Sequence, residues 1–66
     1  MIAYRLLTGP DDASFCHKVT EALSNGWALY GSPAYAVDGS GALRCAQAVT
    51  KEVEGGYDPN AKLGSL

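Results

Sequence analysis

At 66 residues the chain has room for one domain, and a domain this small buries only about 60% of the surface that its unfolded form exposes. A composition of 47% hydrophobic and 18% charged residues at a formal net charge of −2 excludes a disordered chain. Five basic residues against seven acidic ones, without a basic run, exclude the electrostatic footprint of nucleic-acid binding, and no apolar run approaches the roughly 18 residues of a membrane span.

In chain order, Ile2 to Leu7 has the composition of a first strand, with Ile2, Tyr4 and Leu6 on one face and Ala3, Arg5 and Leu7 on the other. Thr8-Gly9-Pro10-Asp11 reads as a helix start: the Thr8 hydroxyl can accept from first-turn N–H groups, Pro10 gives up no needed donor, and Asp11 and Asp12 place negative charge at the positive end of the helix dipole. An anion cradle is the weaker reading of this loop, since two carboxylates would repel a phosphate. Phe15, Cys16, Val19, Ala22 and Leu23 recur at spacings of three and four and predict one apolar helical stripe. Asn25-Gly26 closes the helix, and Trp27 follows where it can fold back on the last turn.

A second strand, Ala28 to Val37, is interrupted by Gly31-Ser32-Pro33, which suits an edge position or a bulge. Asp38-Gly39-Ser40-Gly41 is a turn, and Ala42 to Val53 alternates as a long third strand suited to the centre. The hairpin and a right-handed crossover together predict an α+β fold: one β-α-β-β layer, strand order 1-3-2, with a single helix on one face. The expected division is a domain over residues 1–53 and a flexible tail over 54–66. In that tail Tyr57, Leu63 and Leu66 could dock on a neighbouring subunit.

The face left bare by the helix is expected to carry Ala3, Arg5, Leu7, Ala28, Tyr30, Arg44, Ala46, Ala48 and Thr50, too apolar for simple exposure. With two cysteines, no disulfide framework and no metal-ligand cluster, association is the remaining common way to stabilise so small a fold. A homo-oligomer, dimer or higher, is therefore expected, with a protein partner or small ligand as a further possibility. Met1-Ile2-Ala3-Tyr4-Arg5 lacks the apolar core of an export signal, so the expected location is the cytoplasm.

Candidate chemistry is sparse. Cys16 and His17 are helix neighbours whose side chains diverge by about 100 degrees, so they cannot act as nucleophile and base; Cys16 on the stripe and Cys45 on a strand face favour buried thiols. Cys16, His17 and Cys45 lack a fourth ligand and the close spacing of a metal site, and Asp11, Asp12 and Asp38 are caps or turn formers. No catalytic residues, metal or cofactor are predicted. Arg5, Tyr30, Tyr35 and Arg44 form the one polar and aromatic group that could line a groove between subunits and bind a carboxylate, phosphate or flat ring. Tyr35 falls on the helix side unless a bulge at Pro33 changes the phase.

Tyr4-Arg5-Leu6-Leu7-Thr8-Gly9-Pro10-Asp11-Asp12, Phe15-Cys16, Val19, Glu21-Ala22-Leu23, Gly26-Trp27, Leu29-Tyr30-Gly31-Ser32-Pro33 and Ala46-Gln47-Ala48-Val49 together resemble the small bacterial family called domain of unknown function 1737. The resemblance spans roughly residues 1 to 53. It implies a small bacterial or phage-borne protein and carries no catalytic residues. The layout is also similar to that of the tautomerases, but that likeness implies an N-terminal proline where this sequence has Met1-Ile2. The functional expectation is a non-enzymatic homo-oligomeric binding module; the alternatives are a small cysteine-dependent enzyme and an accessory subunit of a larger complex.

Overall fold

A computed structural model describes residues 1–60 and 62. Strand β1 (Ile2–Pro10), helix α1 (Ala13–Ser24), strand β2 (Ala28–Val37) and strand β3 (Leu43–Glu52) follow one another along the chain. The sheet has the order β1-β3-β2, both outer strands running antiparallel to β3. This is the expected β-α-β-β layer.

The helix starts later than the sequence suggests. Thr8, Gly9 and Pro10 continue β1 opposite Ala46, Cys45 and Arg44, and Asp12 is the N-cap in place of Thr8. Asp12 has extended backbone, and its Oδ1 accepts from the Ser14 N–H at 2.8 Å and from the Ser14 hydroxyl. The strand outlasts its turn-like residues because β1 is an edge, where a proline at the last position interrupts no interior ladder. At the other end the Gly26 N–H donates to Leu23 O and the Trp27 N–H to Ala22 O, with Gly26 at φ 93°. These are the two bonds of a Schellman motif, and they bring Trp27 back onto Ala22.

Ala3, Leu7, Ala22, Trp27 and Val49 form the buried core, with Phe15, Val19 and Val53 packed against it. The stripe that meets the sheet is narrower than expected: Phe15, Val19 and Ala22 pack, whereas Cys16 is exposed and Leu23 largely so. A lone helix packed mainly against β1 leaves the shoulder of its stripe uncovered.

The faces of β1 are the reverse of those expected. Ala3 and Leu7 are buried beneath the helix and Arg5 is half-buried there, while Ile2, Tyr4 and Leu6 point to the bare side. Gly9 supplies the reason: a Cβ built on it would lie 3.1 Å from Phe15 Cδ1, so the residues in phase with Gly9 form the side that the helix approaches closely. Gly9 permits that approach and Ala3 and Leu7 fill the core beside it, while Ile2, Tyr4 and Leu6 go to the other face.

The interruption in β2 is a bulge. Tyr30 pairs with Ala48 and Ala34 with Ala46, so residues 31–33 stand opposite Gln47 alone and β2 carries two additional residues. An even insertion preserves the alternation of faces, which puts Tyr35 opposite Cys45 on the helix side. The buried Gln47 amide donates to the Tyr30, Gly31 and Ala48 carbonyls at 3.3, 3.4 and 2.9 Å. It satisfies carbonyls that the broken ladder leaves over.

Residues 39–41 join β2 to β3 in a tight loop. The Asp38 N–H donates to Ala42 O at 3.0 Å, Gly41 N–H to Asp38 O at 3.0 Å, and Gly41 takes φ 85°. This is a three-residue hairpin loop ending in a left-handed glycine. Asp38 Oδ1 gathers the N–H groups of Ser40 and Ala42 and the Ser40 hydroxyl. Beyond Val53 the described residues form only bends and a turn, and Tyr57 is exposed; Leu63 and Leu66 lie outside the described residues.

Candidate functional site

The sheet face away from the helix is the main unexplained surface. Cross-strand partners share a face, so Leu6 opposite Ala48, Tyr4 opposite Thr50, Tyr30 opposite Ala48 and Ala34 opposite Ala46 all lie on it. Its large side chains Ile2, Tyr4, Leu6 and Tyr30 are 69, 52, 56 and 65% exposed. Ala46 and Ala48 lie between them on β3, and Ala28, Ala34 and Ala36 continue the surface on β2, giving a low apolar floor with bulk along β1 and at Tyr30. Arg44, opposite Ala36, is at one end. Beside it is a shallow depression of about 250 Å³ bounded by Thr8, Ala34, Tyr35, Ala36, Arg44, Cys45 and Ala46.

The four residues expected at a subunit groove are divided between the two faces. Tyr30 and Arg44 are on the open side. Arg5 lies on the helix side with its guanidinium carbon 5.2 Å from the centre of the Trp27 ring, and Lys51 Nζ is 5.9 Å from the same ring. Both cations meet an aromatic face and help to enclose the core tryptophan. Tyr35 is also on the helix side, its hydroxyl donating to Asp11 Oδ1 at 3.1 Å.

Asp11, Tyr35 and Cys45 form a small polar cluster where the β1–α1 connection passes the sheet. The Cys45 Sγ lies 3.7 Å from the same Asp11 oxygen. Burial, and then the Asp11 charge, push the Cys45 thiol up, and the Asp11 hydrogen bond and charge raise the Tyr35 hydroxyl. Both groups give up their protons less readily than usual, and both are placed as hydrogen-bond donors to a carboxylate. A thiol in that setting is a poor nucleophile. The cluster was not visible as a unit in the sequence, because it depends on the register that sets Gly9 and Tyr35 on either side of Cys45. Gly9 was the available signal for that register and for the face of β1.

Among the described residues no three His, Cys, Asp or Glu side chains converge as metal ligands, and no helix is long and apolar enough to cross a membrane. The fold and site define a small α+β sheet protein with one covered and one bare face. A family model described as Domain of unknown function (DUF1737) matches residues 1–52, and the chain belongs to that family. No curated protein and no solved structure matches the chain.

Proposed function

We propose that the chain is a non-enzymatic module that associates with further copies of itself through the open sheet face, and that a small carboxylate, phosphate or flat ring is held beside Arg44. The exposure of Ile2, Tyr4, Leu6 and Tyr30 on one contiguous surface carries the first part. A second copy related by a two-fold axis supplies the same apolar floor and the same bulk along β1, so bulk from one sheet can settle over alanines of the other. The depression next to Arg44 supports the second part, since a covering sheet would close it and leave one planar cationic donor inside. Against cysteine chemistry stand the burial of Cys45 and the Asp11 carboxylate beside its thiol, both of which disfavour the thiolate.

Size-exclusion chromatography with light scattering tests the association. At micromolar concentration we expect at least twice the 6.9 kDa chain mass, reduced by Leu6→Lys, which replaces one of the bulky side chains of the open face by a charge without touching the core. A wild-type monomer would defeat the proposal. Native mass spectrometry of protein taken directly from cells tests the ligand: an added mass should be retained by the wild type and lost in Arg44→Ala.

A further inference from the structure

The geometry points to a second self-association surface: the outer edge of β2 pairs antiparallel with β2 of another copy, the two-fold axis passing through Ala36. The inference rests on the self-association proposed above and adds the edge to the face. All ten residues of β2 are exposed, and its sequence ALYGSPAYAV holds no charge. An edge strand without charge is a template for pairing over its regular stretch, here Ala34 to Val37, since its outward N–H and C=O groups lack partners from the sheet. The opposite edge differs, for β1 contains Arg5 and a Thr8 carbonyl that accepts from Lys18 Nζ at 2.7 Å. Across a two-fold axis a strand meets itself, so β2 is the edge that can do so without setting like charges side by side.

The register follows from the hairpin. Because the Asp38 N–H donates to Ala42 O, alternation turns the N–H groups of Ala36 and Ala34 toward β3 and those of Tyr35 and Val37 outward. With Ala36 on the axis, Tyr35 faces the partner's Val37 and each such pair exchanges two main-chain bonds, four in all. An axis at Tyr35 would instead set Val37 against Pro33, which has no N–H to give. The Ala36 register also makes a cross-strand pair of Tyr35 and Val37, which are 67% and 65% exposed in the single chain. Area favours the same arrangement. Nine residues at about 3.3 Å and three strands at about 4.8 Å give one sheet a face of roughly 400 Å², so a face-to-face pair buries about 800 Å² and is at the weak end of specific interfaces. Joining two sheets by their β2 edges doubles the continuous face that another such pair can cover.

Residue-resolved amide exchange on the full chain reads the edge directly. Tyr35 and Val37 amides should exchange slowly in the wild type and in Leu6→Lys, although nothing within one protomer's sheet binds them. Free exchange at these two positions, with Ala34 and Ala36 protected, would overturn the inference whatever the oligomer size. Light scattering separates it from the face reading. With both surfaces in use the wild type is a tetramer, Leu6→Lys an edge-paired dimer, and Val37→Pro, which removes an outward donor and the side chain facing Tyr35, at most a weakly face-paired dimer. Slow exchange with a Leu6→Lys mass equal to the wild type would keep the edge and remove the face. If Val37→Pro does not fold, wild-type exchange decides alone.

Discussion

At the scale of single residues, the two cysteines have opposite environments despite similar sequence settings. Cys16 is exposed on the shoulder of its helix, whereas Cys45 is buried with its thiol raised by burial and by Asp11. Alkylation of the native protein should therefore modify Cys16 first and Cys45 only on unfolding. Cys16→Ser should abolish the native-state reaction; rapid modification of Cys45 in that variant would show that its thiolate is accessible after all. Two aspartates give the fold an acid limit. Hydrogen bonds from the Ser14 hydroxyl and N–H hold Asp12 below the ordinary aspartate value, and those from Ser40 and then Ala42 do the same for Asp38. A depressed folded value means that the unfolded chain binds protons more readily. Their stabilisation is thus complete above the unfolded value of roughly 3.9 and is lost as pH falls through the lower folded values. Urea midpoints measured from pH 6 downward should fall in that acid window, and Asp38→Asn should flatten the fall.

At the scale of elements, the sequence showed which segments exist and how they connect, because the helix stripe, the Asn25-Gly26 stop and the Asp38 turn each have a local physical signature. It did not show which face of β1 meets the helix. Both alternating sets contain apolar residues, and the larger set, Ile2, Tyr4 and Leu6, looks more like a core than Ala3, Arg5 and Leu7. The choice is made by a non-local contact, Phe15 against Gly9, that leaves no room for a side chain at that position under the helix. Of the candidate site, Tyr30 and Arg44 were legible from strand phase, whereas placing Arg5 beside Trp27 needed that contact. Tyr35 required the size of the bulge, which composition does not reveal. The bulge makes its own prediction. Deleting Ser32 and Pro33 together removes an even number of residues, so Ala34 to Val37 should keep their faces and the chain should still fold. Deleting Ser32 alone should turn those residues over and destabilise it more. Gln47→Leu in the intact chain leaves the bulge carbonyls without their donor and should cost about 1–3 kcal/mol by chemical denaturation. A neutral Gln47→Leu would mean that water serves these carbonyls equally well.

At the scale of the whole molecule, the buried core among the described residues is Ala3, Leu7, Ala22, Trp27 and Val49, and one helix shields one side of three strands. The apolar surface that a larger domain would place inside is here displayed on the open face and along β2. Two features argue that this display is compatible with order and not merely with aggregation. The Gly31-Ser32-Pro33 bulge limits the regular part of the β2 edge to short stretches, and the open face mixes large side chains with alanines in a pattern that a second copy can complement. If association completes the hydrophobic interior, stability must depend on mass action, since whatever binds only the folded chain draws the equilibrium toward it. Thermal and urea midpoints should then rise with protein concentration, each tenfold increase adding about 1.4 kcal/mol per dimer at 25 °C. Leu6→Lys should weaken that dependence, and combining it with Val37→Pro should remove it, leaving a monomer with a low, concentration-independent midpoint. A wild-type midpoint constant from micromolar to millimolar concentration would mean that the bare face contributes nothing to folding, and the self-association proposed for this chain would fail with it.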